Sequence, residues 1–131
     1  MVVTLAGQRL HLVLPPDLRA ASQARCAISA WATANALAET DVDCLRLIVT
    51  ELVTNAVVHA GTFLTLCVTL QDAVVWTSVR DHDVSADPCL GVSTEGESGR
   101  GLLLVDALAH AWGVAHDPDG KTIWAEVALA G

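Results

Sequence analysis

Glu51, Asn55 and His59 recur at i, i+4 and i+8 within the run 50–60, Thr-Glu-Leu-Val-Thr-Asn-Ala-Val-Val-His-Ala. On a helix this spacing sets a carboxylate, an amide and an imidazole on one stripe. Leu52, Val53, Ala56, Val57 and Ala60 cover most of the remaining surface. Glu can act as a general base, and an Asn oxygen suits a hard cation such as Mg²⁺. A narrow polar stripe between apolar flanks fits the wall of a pocket. Taken alone, it more often is the polar edge of an ordinary amphipathic helix.

Three further segments could carry chemistry. Asp81 ends an alternating run on the same face as Val75, Thr77 and Val79. A carboxylate there can accept a hydrogen bond from an exocyclic amine such as that of adenine, although most strand-end Asp residues only begin a turn. Gly99-Arg100-Gly101 immediately precedes an apolar helical pattern. Glycine permits close backbone approach, and the free N–H groups of a helix N-terminus bind phosphate. Arg100 can add a charge-assisted contact. A plain loop-to-helix junction with a solvated Arg is the commoner meaning of such a triplet. Thr122 follows Gly120-Lys121 on the last strand, where its hydroxyl could hold a water beside Asp81 or simply reflect strand propensity.

The elements that must position these residues alternate between β and α. Arg9–Leu14 reads as a strand stopped by Pro15-Pro16, and Asp17 can cap an Ala-rich helix to about Ala38. Thr40 or Asp41 can cap a second helix running to His59 or Ala60, ended by Gly61. Phe63–Leu70 has clear period-2 alternation, and a turn at Gln71-Asp72 joins it to Ala73–Asp81 as an antiparallel hairpin. Residues 82–99 lack periodicity and form a long loop, a length that is usually functional or mobile. Gly101–His110 is a third helix, followed by strands at Ala111–Ala115 and Lys121–Leu129. The expected fold is an α+β two-layer sandwich, a mixed and mostly antiparallel sheet covered on one face by three helices.

Composition narrows the function classes. The 131 residues fit a single domain and are 53% hydrophobic and 17% charged, which argues for a packed core and against disorder. Cys26, Cys44, Cys67 and Cys89 are widely spaced, with no C-x-x-C pair to suggest a zinc module. With no signal-peptide pattern, the thiols are expected to be reduced and the chain cytoplasmic. No apolar run approaches a membrane span. Seven basic residues face fifteen acidic ones, a net charge of −8, and no cluster of Lys and Arg offers a groove for nucleic acid. Any phosphate site must rely on backbone N–H groups, a metal and particular cations.

Taken in this order, the segments resemble the GHKL ATPase superfamily with its Bergerat, histidine-kinase-like ATPase fold. Glu51-x-x-x-Asn55 is similar to the N box, Asp81 to the aspartate of the first glycine box, and Gly99-Arg100-Gly101-Leu102 to the second glycine box. Within the superfamily the closest resemblance is to the small anti-sigma-factor serine/threonine kinases. Residues 51–60, 99–106, Trp112-Gly113 and Gly120-Lys121-Thr122-x-Trp124 all match that group, and the likeness extends from about Leu10 to Val127.

The resemblance implies one ATP-binding domain over residues 1–131. Asn55 would hold Mg²⁺ and Glu51 would be the general base. Asp81 would bind the adenine amine with support from Thr122 through water. Gly99, Arg100, Gly101 and Leu102 would cradle the phosphates, and residues 84–98 would form a lid over ATP. His59 matches the family pattern in a structural or lid-facing role. The implied activity is phosphorylation of a small antagonist protein, sequestration of a sigma factor, or both, and a homodimer is common in the group. One departure stands out. Asp83, in Asp81-His82-Asp83, occupies a place where the family usually has Gly or another small residue. An extra carboxylate there favours a second expectation, a protein-interaction module of the same fold with weakened or lost ATP binding. A stand-alone sensor histidine kinase would need a phosphoacceptor helix pair, and a chaperone or topoisomerase ATPase would need further domains.

Overall fold

The computed structural model describes residues 3–6, 8–59, 61–82 and 95–130, and the side chains of all of these except 3–6, 59 and 95–101. Strands β1 (Val3–Ala6) and β2 (Arg9–Leu14) lead into helices α1 (Arg19–Ala34) and α2 (Glu39–His59). The hairpin β3 (Leu64–Gln71) and β4 (Val74–Asp81) follows, then α3 (Glu95–Leu108) and the strands β5 (Ala111–Asp117) and β6 (Gly120–Ala128). The six strands lie in the order β1-β2-β3-β4-β6-β5, and every pairing is antiparallel. The sheet is therefore antiparallel throughout rather than mixed, and β1 adds an edge strand that the sequence pattern does not announce.

Period-2 alternation decides which face of the sheet is covered. Leu10, Leu12, Leu64, Leu66, Val68, Val75, Val79, Ile123, Ala125 and Val127 are buried beneath the helices. The outer face carries Arg80, Thr122, Trp76 and Trp124. The two indoles pack tilted with centroids 6.0 Å apart, and Trp76 is 44% exposed. On α2, Leu45, Ile48, Val49, Leu52, Val53 and Ala56 form one buried stripe at helical spacing, and α2 packs on β3, β4 and β6 between α1 and α3.

Local chemistry fixes the ends of the elements. Asp17 accepts the Arg19 backbone N–H at 2.9 Å and pairs with the Arg19 guanidinium, so it caps the start of α1 as its sequence position predicts. The helix stops earlier than expected, at Ala34. Its end is a Schellman motif, with Leu37 N–H donating to Ala32 O at 3.0 Å and Ala36 N–H to Thr33 O at 3.1 Å. Ala36 adopts φ 57°, the left-handed role usually filled by Gly. The β3–β4 turn is Asp72-Ala73, both with positive φ, as a two-residue hairpin loop requires. The C-terminal segment is tied back to α2, Ala130 N–H donating to the buried Asp41 carboxylate at 3.0 Å. No helix among the described residues is long and apolar enough to cross a membrane.

Candidate functional site

Asp81 closes β4 on the face beneath the helices and is only 3% exposed. The register sets it opposite Lys121 of β6, whose backbone N–H donates to Asp81 Oδ1 at 3.2 Å. Gly120 makes this corner possible. Its φ is 152°, a conformation essentially restricted to glycine, and a Cβ there would collide with the Asp81 carbonyl. A buried carboxylate at a strand end, held by a main-chain N–H, suits recognition of a neutral donor such as an exocyclic amine.

Glu51 and Asn55 lie one turn apart on α2, both half-buried, beside the stripe that packs on the sheet. Neither makes a hydrogen bond to another side chain among the described residues. At ~100° per residue, Glu51 and Asn55 border one side of the buried stripe while Arg46 and Thr50 border the other. Arg25 of α1 donates to Thr50, so that second flank faces α1. The Glu51–Asn55 flank consequently lies toward α3. Asn55 alone offers one hard oxygen, and no group of three or more metal-binding side chains exists among the described residues. A single protein oxygen fits Mg²⁺, which keeps most of its waters and takes substrate phosphates as further ligands.

Two expectations need correction. Thr122 stands on the opposite face of the sheet from Asp81, because it pairs with Arg80 and alternates with the buried Ile123. Its hydroxyl accepts from the Arg80 guanidinium at 3.1 Å, and that guanidinium also grips Asp117 at 2.7 Å. The partner of Asp81 on β6 is thus the Lys121 main chain, a contact legible in the alternation once the register is known. Gly99, Arg100 and Gly101 do not precede α3 but lie within it, since the helix begins at Glu95. Two glycines read as a break, yet each costs a helix only ~1 kcal/mol. The packing of Leu102, Val105 and Leu108 on the core offsets that cost. The amides of 99–101 therefore fall beyond the first four residues, whose N–H groups alone lack intrahelical acceptors.

His82 follows Asp81 and turns outward. Its ring stacks on Phe63 with centroids 4.4 Å apart, and its Nε2 lies 2.9 Å from Thr65 Oγ1. No residue pattern around Asp81 announces this arrangement, which keeps the imidazole off the helix side of the sheet. The lid over residues 84–98 falls outside the described residues up to 94 and lies in α3 from 95 on. Asp83 and the His59 side chain also lie outside them.

A protein-family model described as "Histidine kinase-like ATPase domain" matches residues 14–127. The fold is shared with the structure of the RsbU and RsbW domains of Rv1364c from Mycobacterium tuberculosis, at TM-score 0.73 and 22% identity over 92% of this chain. This chain spans 32% of that one, about a third of its length. A chain in the SiaB–SiaC complex from Pseudomonas aeruginosa is also similar, at TM-score 0.56 and 11% identity, covering 95% of this chain and 89% of that one. No curated protein matches the chain significantly. The match over residues 14–127 shows that the chain belongs to the histidine kinase-like ATPase domain family, within the GHKL fold that its motifs resemble.

Proposed function

We propose that this chain binds Mg·ATP between the Asp81 corner, the Glu51–Asn55 flank of α2 and the start of α3, and acts as a small regulatory serine/threonine kinase. The observation that carries the reading is the buried Asp81 carboxylate, backed by Gly120 and held by the Lys121 N–H. Asp81 accepts from the adenine amine. Asn55 would supply the protein oxygen that holds Mg²⁺, and the ion's charge would offset that of the phosphates. The glycines at 99 and 101 make the first turns of α3 easy to open, so that Gly99, Arg100, Gly101 and Leu102 can present amides to the phosphates. Glu51 takes the proton of the acceptor hydroxyl as its oxygen bonds to the γ-phosphorus. The bond from that phosphorus to the β–γ bridging oxygen breaks, and ADP leaves.

The acceptor in this reading is a serine or threonine of an antagonist protein, and sequestration of a sigma factor is the companion role. The matched structures are of an RsbW-containing protein and of a SiaB–SiaC protein complex, which supports a protein partner. A second reading, an interaction module with weakened nucleotide binding, draws on Asp83 two residues after Asp81.

Calorimetric titration with ATP, with and without Mg²⁺, separates the two. Binding is expected, with Asn55→Ala removing its Mg²⁺-dependent part and Glu51→Ala sparing affinity while abolishing transfer. Absence of heat and of any thermal shift at saturating ATP would sink the nucleotide reading and leave the interaction module.

A further inference from the structure

Lys121 is the only lysine of a chain whose net charge is −8. Fifteen acidic residues face seven basic ones, yet Lys121 makes no ion pair among the described residues. Its neighbours on β6 fix where its side chain goes. Thr122 turns outward to Arg80, and Ile123 beyond it is buried beneath the helices. Alternation therefore sends Lys121 to the helix face, where it is half-buried. The register aligns Leu64, Asp81, Lys121 and His116 in one row across β3, β4, β6 and β5. Lys121 is thus the cross-strand neighbour of the buried Asp81, and side chains so related stand about 5 Å apart at Cβ. The Lys121 N–H donating to Asp81 Oδ1 at 3.2 Å holds that relationship from the main chain.

We propose that Lys121 is a second base-reading residue of this corner, its ammonium donating to a ring nitrogen beside the exocyclic amine that Asp81 accepts. This role rests on the reading of Asp81 as the acceptor for that amine. One edge of adenine sets the amine next to N7, a donor beside an acceptor, and N1 flanks the amine on its other side. A carboxylate beside an ammonium is the complement of either pattern. Guanine carries two acceptors, O6 and N7, on the corresponding edge, so O6 would meet the Asp81 carboxylate. Guanine fits the pair only by turning its N1–H edge into the corner, with O6 toward Lys121. Two opposite charges therefore address one uncharged edge, and both must be satisfied for tight binding. A phosphate suits this ammonium less well, because the row ties Lys121 to the residue that reads the base.

The test is calorimetric titration of the full chain with ATP, 7-deaza-ATP, 1-deaza-ATP and GTP at one Mg²⁺ concentration. One of the two deaza analogues, the one lacking the nitrogen that Lys121 contacts, is expected to bind ~10-fold more weakly than ATP. Lys121→Met keeps the aliphatic stem and the main-chain N–H, and should weaken ATP by a similar factor. In that variant ATP and the affected analogue should bind alike, a coupling that a merely structural lysine would not produce. The analogue series on the parent chain decides the matter even if the variant folds poorly. Lys121 also carries the only ε-amine, so its acylation rate reports on it alone. Saturating adenosine should slow that acylation, and ribose 5-phosphate should not. Equal binding of ATP and both analogues, an analogue penalty undiminished in Lys121→Met, protection by ribose 5-phosphate alone, or tighter binding of GTP than of ATP would each overturn the proposal. With ATP still binding, those results leave the nucleotide site standing and remove only the role of Lys121, whereas absence of ATP binding removes both.

Discussion

Gly120 packs its α-carbon against the backbone carbonyl of Asp81, so closely that no side chain could stand between them. The contact joins the start of β6 to the end of β4 and lets the Lys121 N–H reach the Asp81 carboxylate. Gly120→Ala should therefore fail twice. Holding alanine at φ 152° costs ~1–3 kcal/mol, and the methyl group must also push the Asp81 main chain aside. The expected outcome is a urea midpoint lowered with an unchanged slope, together with weaker ATP binding. Unaltered stability would mean that the corner is more pliable than its geometry indicates.

Gly113 plays a different part on the outer face. It pairs with Trp124 across β5 and β6, and a Cβ at 113 would lie 2.8 Å from the indole Cζ2. Gly113→Ala must displace that ring from its packing on Trp76, at an overpacking cost of ~1–3 kcal/mol. The variant should be destabilised and show altered tryptophan fluorescence. In a Trp124→Leu background the same substitution should cost markedly less, because the ring it strikes is gone. Simple additivity of the two changes would contradict the clash.

The Arg80 guanidinium, and after it the Asp119 N–H, holds the Asp117 carboxyl at about 2, below its ordinary value. A depressed folded value means that the stabilisation is fully present above the unfolded value of ~3.9 and is lost as the pH falls through about 2. The melting-temperature difference between the parent and Asp117→Asn should accordingly be widest above pH ~4 and shrink toward pH 2. Because the pair is exposed, the difference should be small and should fall with added salt. Arg80→Gln should return the Asp117 carboxyl resonance toward an ordinary midpoint, and a midpoint left in place would show that Arg80 is not the cause.

These relationships differ in how far the sequence discloses them. The β3–β4 hairpin is legible because Leu64, Leu66 and Val68 alternate strictly, and the buried stripe of α2 because its spacing is helical throughout. Val3–Ala6 is missed because four residues at a sheet edge leave too short a pattern to read. The start of α3 is misplaced because Gly99 and Gly101 resemble punctuation, whereas core packing further along the helix carries it through them. Thr122 and Lys121 are adjacent, so assigning one or the other to Asp81 depends on the β4–β6 register, which a single strand does not reveal. Arg25 and Thr50 meet only through the packing of α1 on α2.

That register supports the most direct test of the proposed nucleotide site. Asp81 faces the helix layer and Thr122 faces away, with its hydroxyl engaged by Arg80. Asp81→Asn keeps an oxygen for the Lys121 N–H, so the fold should survive. The amide cannot also serve the adenine amine with a charged acceptor, and ATP affinity should fall ~10-fold or more. Thr122→Ala removes only an outer-face hydrogen bond and should leave the ATP isotherm unchanged. Titrating both variants beside Arg80→Gln separates a contact with nucleotide from a contact across the sheet. If Thr122→Ala weakened binding while Asp81→Asn did not, the nucleotide would have to lie on the opposite face, and the roles given to Glu51 and Asn55 would fall with it.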